Sequence, residues 1–118
     1  MTRRTDRVGD LIRAELVMLI QREMSDPRVR LAIPSEVQVS ADLRHARVMV
    51  SMVGEQGQRD EAVEALRHAA GFLRRQLARR LDLRAVPELV FVLDRGAEHS
   101  VRMAEILEKL HHDDEDAP

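Results

Sequence analysis

The chain has 118 residues, the size of one compact domain, which leaves little room for a second. It has no cysteine, so disulfides, thiolate metal sites and cysteine nucleophiles are excluded, and its only aromatics, Phe72 and Phe91, are too few to stack a row of single-stranded bases. The net charge of −2 argues at face value against nucleic acid, but Asp113, Asp114, Glu115 and Asp116 crowd the last six residues, and without them the chain carries +2. Val8, Leu11, Ile12, Leu16, Leu19, Ile20 and Met24 recur at spacings of three and four, which predicts an amphipathic helix over Thr5 to Met24. Arg7, Asp10, Arg13, Gln21 and Arg22 fill its polar face. Thr5 or Asp6 is the expected N-cap, and Asp26 before Pro27 stops the helix, because a residue preceding proline is steered out of the helical region.

After Pro34, Val37, Val39 and Ala41 alternate with Gln38 and Ser40, and Ala46, Val48, Val50 and Met52 alternate with Arg47, Met49 and Ser51, the period of two expected of strands. The short linker Asp42 to His45 predicts an antiparallel hairpin. A polar loop, Gly54 to Gly57, follows. Helical spacing returns from Arg59 to Leu81, with a kink or break expected at Ala69-Ala70-Gly71, since an interior glycine costs about 1 kcal/mol relative to alanine. Phe72 falls opposite the leucine stripe, so either the kink rephases the second half or Phe72 is partly exposed; rephasing is preferred. Glu88 to Leu93 is apolar on both faces and predicts a well-buried strand. A last helix, about Glu98 to Leu110, and a disordered acidic tail, residues 111–118, complete a single domain over residues 1–110.

The residues in this order resemble bacterial ribosome-binding factor A. The likeness is carried by Arg7-Val8, Ile12 and Glu15; Asp26-Pro27-Arg28; Val39-Ser40-Ala41-Asp42-Leu43 with Ala46-Arg47-Val48; Ala69-Ala70-Gly71-Phe72-Leu73-Arg74; and Leu83-Arg84, Val86-Pro87-Glu88-Leu89, Phe91 and Asp94. It spans residues 7 to 107. The resemblance implies an α+β fold, a type II KH-like domain of order α-β-β-α-kink-α-β with a three-stranded sheet, to which the C-terminal helix is added. It implies a factor that binds the immature 30S subunit through 16S rRNA and assists late maturation, 16S processing and cold adaptation, with a GTPase suggested for its release; with no catalytic constellation in the sequence, a non-enzymatic role is expected. It also implies an interhelical kink at Ala69, Ala70 and Gly71 in place of the GxxG loop with which other KH domains clamp nucleic-acid backbone. Recognition of folded RNA by shape and charge is the corresponding expectation.

Of the 19 basic residues, 18 are arginine and one is Lys109, and arginine gives bidentate phosphate contacts that lysine does not. Arg67, Arg74, Arg75, Arg79, Arg80 and Arg84 stand against Asp82 alone in eighteen residues, a local charge of +5. Arg75 and Arg79, one turn apart, share a helix face, and Gly71 opens a half-helix whose free N–H groups favour phosphate. This face is the expected rRNA contact, the alternative being a solvated helix face paired with acids. A second basic group, Arg3, Arg4, Arg7, Arg22, Arg28 and Arg30, is diluted by Asp6, Asp10, Glu23 and Asp26. His45, His68 and His99 show no nucleophile or metal spacing, and His111-His112-Asp113-Asp114 lacks the supporting shell of a metal site, so neither cofactor nor metal is expected. The acidic tail is expected to repel RNA and limit nonspecific binding. No apolar run approaches a membrane span, and the arginine-rich start has no signal-peptide stretch, so a soluble, cytoplasmic protein is expected; separately, a monomer is expected. A second functional reading takes Met49, Val90 and Val92, on the non-core side of their strands, as a protein-docking surface, unless the C-terminal helix covers them.

Overall fold

A computed structural model of the chain describes residues 3–94. The expected C-terminal helix, the acidic tail, His99 and His111-His112 lie outside the described residues. The elements run α1 (Arg3–Glu23), a single 3-10 turn (Pro27–Val29), β1 (Ile33–Val39), β2 (His45–Ser51), α2 (Gln56–His68), α3 (Ala70–Arg80) and β3 (Glu88–Leu93). The strands form one sheet of order β1-β2-β3, antiparallel between β1 and β2 and parallel between β2 and β3. The parallel step needs a crossover, and α2 with α3 supplies it.

The sheet's register separates its two faces. Val37 opposite Val48, and Val39 opposite Ala46, with Leu89 and Phe91 alongside on β3, turn toward the helices. Ile12, Leu16, Leu19 and Ile20 of α1, Leu66 of α2, and Leu73 and Leu77 of α3 close the core against them. Gly9 lets α1 lie directly on β1: a Cβ there would stand 2.5 Å from the Val37 carbonyl oxygen. The opposite face carries Gln38, Arg47, Met49, Val90 and Val92.

Several expectations are corrected. Thr5 is no N-cap: α1 starts at Arg3, and Thr5 sits on the same buried stripe as Gly9, Ile12 and Leu16. Leu11 belongs to the outer face, 45% exposed, because the buried stripe follows Thr5, Gly9, Ile12, Leu16 and Ile20 and leaves Leu11 well to one side. β1 begins at Ile33, ahead of Val37. A bulge between Pro34 and Glu36 breaks the alternation there, and a proline is tolerated because β1 is an edge strand. β1 also stops at Val39, before Ala41, and β2 at Ser51, before Met52. His45 is the first residue of β2 rather than a turn residue. The polar loop is shorter than expected, since α2 starts at Gln56; the Gln58 side chain accepts the Glu55 N–H at 3.0 Å and closes that first turn. β3 is buried on one face only: Leu89 and Phe91 are covered, while Val90 is 43% exposed on the face opposite the helices.

The break falls at Ala69, one residue wide. Its N–H donates to the carbonyls of Ala65 and Leu66, ending α2, and its own carbonyl accepts from Leu73 N–H at 2.9 Å, starting α3. At φ −89°, ψ 0° it departs from helical geometry just enough to redirect the chain. Phe72 is consequently half-buried and packs against the core.

Candidate nucleic-acid interface

The six arginines between positions 67 and 84 divide into two groups. Arg67 Nε donates to the Phe91 carbonyl of β3 at 3.2 Å, and its guanidinium stands 3.7 Å from Glu64. Arg74 Nε donates to the Val86 carbonyl at 3.0 Å, and Arg80 stands 3.4 Å from Glu23 of α1. These three tie the helices to the sheet, to the loop before it and to α1. Arg75, Arg79 and Arg84 are exposed and have no hydrogen bond or ion pair among the described residues. A guanidinium without a carboxylate partner keeps its whole charge for an external anion.

Arg75 and Arg79 are separated by one turn of α3 and therefore share a face. The guanidinium of Arg75 folds back toward the kink: a Cβ on Gly71 would stand 3.4 Å from its Nη1. Gly71 is itself exposed, at the second position of α3. The first turn of a helix leaves N–H groups without intrahelical acceptors and carries a partial positive charge. Backbone donors and a free guanidinium thus meet at the start of α3, an arrangement suited to a phosphate oxygen.

The second basic group is scattered. Arg28 is neutralised locally, its guanidinium bonding both carboxylate oxygens of Asp26 at 2.7 to 3.1 Å. That guanidinium, together with the Arg28 N–H, holds the Asp26 carboxyl below its usual range, and Asp26 raises the Arg28 pKa in turn. Arg3, Arg4, Arg7 and Arg22 are exposed on α1, and Arg30 follows the 3-10 turn; none has a partner among the described residues. Arg7 and Arg22 lie on the outer side of α1 beside Leu11 and Met18, both exposed. His45 pairs weakly with Glu88 at 3.7 Å and His68 with Glu64 at 3.3 Å, surface contacts of small consequence. Sequence reasoning passed over Arg44 and Arg47. The strand alternation marks Arg47 as outward-facing, and Arg44 sits in the hairpin turn. Among the described residues no group of three His, Asp or Glu side chains is placed to hold a metal ion, and no helix is long and apolar enough to cross a membrane.

A family model described as ribosome-binding factor A matches residues 4–107. The ribosome-binding factor A of Thermomicrobium roseum is 42% identical over 110 residues, covering 93% of this chain and 85% of that protein. The crystal structure of the Thermus thermophilus factor superposes with a TM-score of 0.69 at 30% identity, covering 77% of this chain and 97% of that one. A homology model of the Thermus thermophilus factor, fitted into the cryo-EM map of a 30S complex of that protein, gives a TM-score of 0.65 at 30% identity over 78% of this chain and 97% of its own. The α+β arrangement described above is the KH-like fold these structures share.

Proposed function

The chain belongs to the ribosome-binding factor A family, and from that premise we propose that it binds the 30S ribosomal subunit through 16S rRNA, with the outer face of α3 as the principal contact. The observation that carries the proposal is the pair Arg75 and Arg79, unpartnered among the described residues, beside the open first turn of α3. With Ala69 as the only residue between α2 and α3, there is no loop to wrap a single strand. The contact is therefore to backbone phosphates of folded rRNA, positioned by charge and shape rather than by base stacking.

The chain acts as a binding factor and not as an enzyme. Its role is late 30S maturation and 16S processing, including cold adaptation. It works as a monomer that a GTPase releases. Arg84, in the loop beyond the end of α3, and Arg7, Arg22 and Arg30 add weaker, separate contacts.

A second reading rests on Met49, Val90 and Val92, which lie together on the sheet face opposite the helices; Met49 and Val92 are register partners and Val90 is exposed. It makes this face a protein-docking surface, with RNA contact incidental. Cosedimentation with 30S particles in moderate salt, before and after nuclease treatment, separates the two. The rRNA account predicts a complex that is lost when the RNA is digested, and a complex that survives digestion contradicts it.

A further inference from the structure

Away from the kink, the start of α1, the turn between β1 and β2 and the loop between α3 and β3 enclose a cleft of about 640 Å³, within the size range of ligand pockets. None of Ala69, Ala70 and Gly71 lines it. Val8, Leu43, Val86 and Pro87 give it an apolar floor. Leu43 has a left-handed backbone, φ 61°, which costs a leucine free energy and persists only where its surroundings enforce it. The enforcing bonds are visible: Leu43 N–H donates to the Ser40 carbonyl, the Ser40 hydroxyl donates to Asp42 Oδ1 at 2.7 Å, and the N–H groups of Arg44 and His45 donate to Asp42 Oδ1 and Ser40 Oγ.

The cleft's charges are mixed in a specific way. Arg4, Arg44 and Arg84 line it and have no partner among the described residues, while Arg74 is fixed by the Val86 carbonyl. Asp42, Asp82 and Glu88 line it as well. Asp42 already accepts two hydrogen bonds within the turn, which leaves Asp82 and Glu88 as the open acceptors among the described residues, Glu88 only loosely paired with His45. Guanidinium groups take phosphate, an apolar floor takes the face of a base, and a carboxylate accepts from an exocyclic amino group. An acidic peptide would meet the carboxylates as like charges, and a duplex keeps its bases stacked out of reach.

We propose that this cleft holds an unpaired ribonucleotide whose base carries an exocyclic amino group, with its phosphates on Arg4, Arg44 and Arg84. This rests on the rRNA-binding reading but places a second contact at a different surface from the α3 face. The test is methyl NMR of the full chain titrated with the RNA tetramers CCCC and UUUU, an abasic tetramer, a tetraglutamate peptide and inorganic phosphate. CCCC is expected to move the methyls of Val8, Leu43 and Val86 and to bind at least about fivefold more tightly than UUUU, which has no amino group. Arg4→Ala with Arg44→Ala is expected to weaken CCCC binding about tenfold. Equal binding of CCCC, UUUU and the abasic tetramer, preference for the peptide, or silence of the three methyls overturns the proposal. Silent cleft methyls in a protein that still sediments with 30S particles count against the cleft alone. A cleft that binds CCCC in a protein that ignores 30S particles counts against the ribosomal reading alone.

Discussion

At Gly9 and Gly71 the same substitution meets opposite surroundings. A Cβ at Gly9 stands 2.5 Å from the Val37 carbonyl oxygen, and neither α1 nor β1 can retreat without opening the core. Gly9→Ala is therefore expected to lower stability by about 2 kcal/mol, overpacking outweighing the gain of up to about 1 kcal/mol in helix propensity. At Gly71 the nearest atom is the mobile end of Arg75, 3.4 Å away, so Gly71→Ala keeps the propensity gain and is expected to be neutral or stabilising. Urea unfolding of both variants checks the contrast, and equal losses would contradict it. Asp42 offers a second test on this scale. The Ser40 hydroxyl, then the Arg44 N–H, hold its carboxyl below the ordinary 3.8. A carboxyl lowered by folding contributes stability above its unfolded value and loses it as pH falls through the folded one. Ser40→Ala is expected to raise the Asp42 midpoint toward 3.8, read from its carboxyl carbon shift; an unmoved midpoint would mean the hydroxyl bond is not its cause.

Among the elements, α3 shows most clearly what the sequence carries and what it does not. Its existence, its leucine stripe and the break before it are legible because packing periodicity is a local property of the chain. β3 is legible from its apolar run, and its bounds agree with expectation, although only one of its faces is buried. The start of β1 is not legible, since a proline and a bulge disguise an edge strand, and the start of α2 is hidden because a glutamine side chain, not an apolar period, closes its first turn. The arginines divide for a reason no local pattern contains. Arg67 and Arg74 bond carbonyls 24 and 12 residues away, so whether a guanidinium is occupied depends on the tertiary fold. Arg74→Ala is accordingly expected to cost about 1 kcal/mol of stability. Arg79→Ala should leave stability within about 0.5 kcal/mol, as for an unpartnered surface residue. Thermal unfolding of the pair would contradict this division if the two losses matched.

For the whole molecule, net charge says little about function and charge placement says much. The described residues hold sixteen arginines against fourteen acids, nearly balanced. The fold neutralises some of the arginines, as at Arg28 with Asp26, and leaves Arg75 and Arg79 on one face with no partner among the described residues. Two aromatic residues suffice for such a surface, because backbone and shape recognition require no stacking platform. The sequence singles out α3 by its density of arginine, but only the packing of that helix shows which of those charges are unpartnered among the described residues. The most direct test is the salt dependence of 30S binding, measured for the native chain and for Arg75→Glu with Arg79→Glu. Removing one arginine–phosphate pairing should reduce the log–log slope by roughly 0.7 to 0.9. The variant is therefore expected to bind more weakly at low salt and to show a slope shallower by about 1.4 to 1.8, whereas the same affinity and the same slope in both proteins would contradict an rRNA contact through α3.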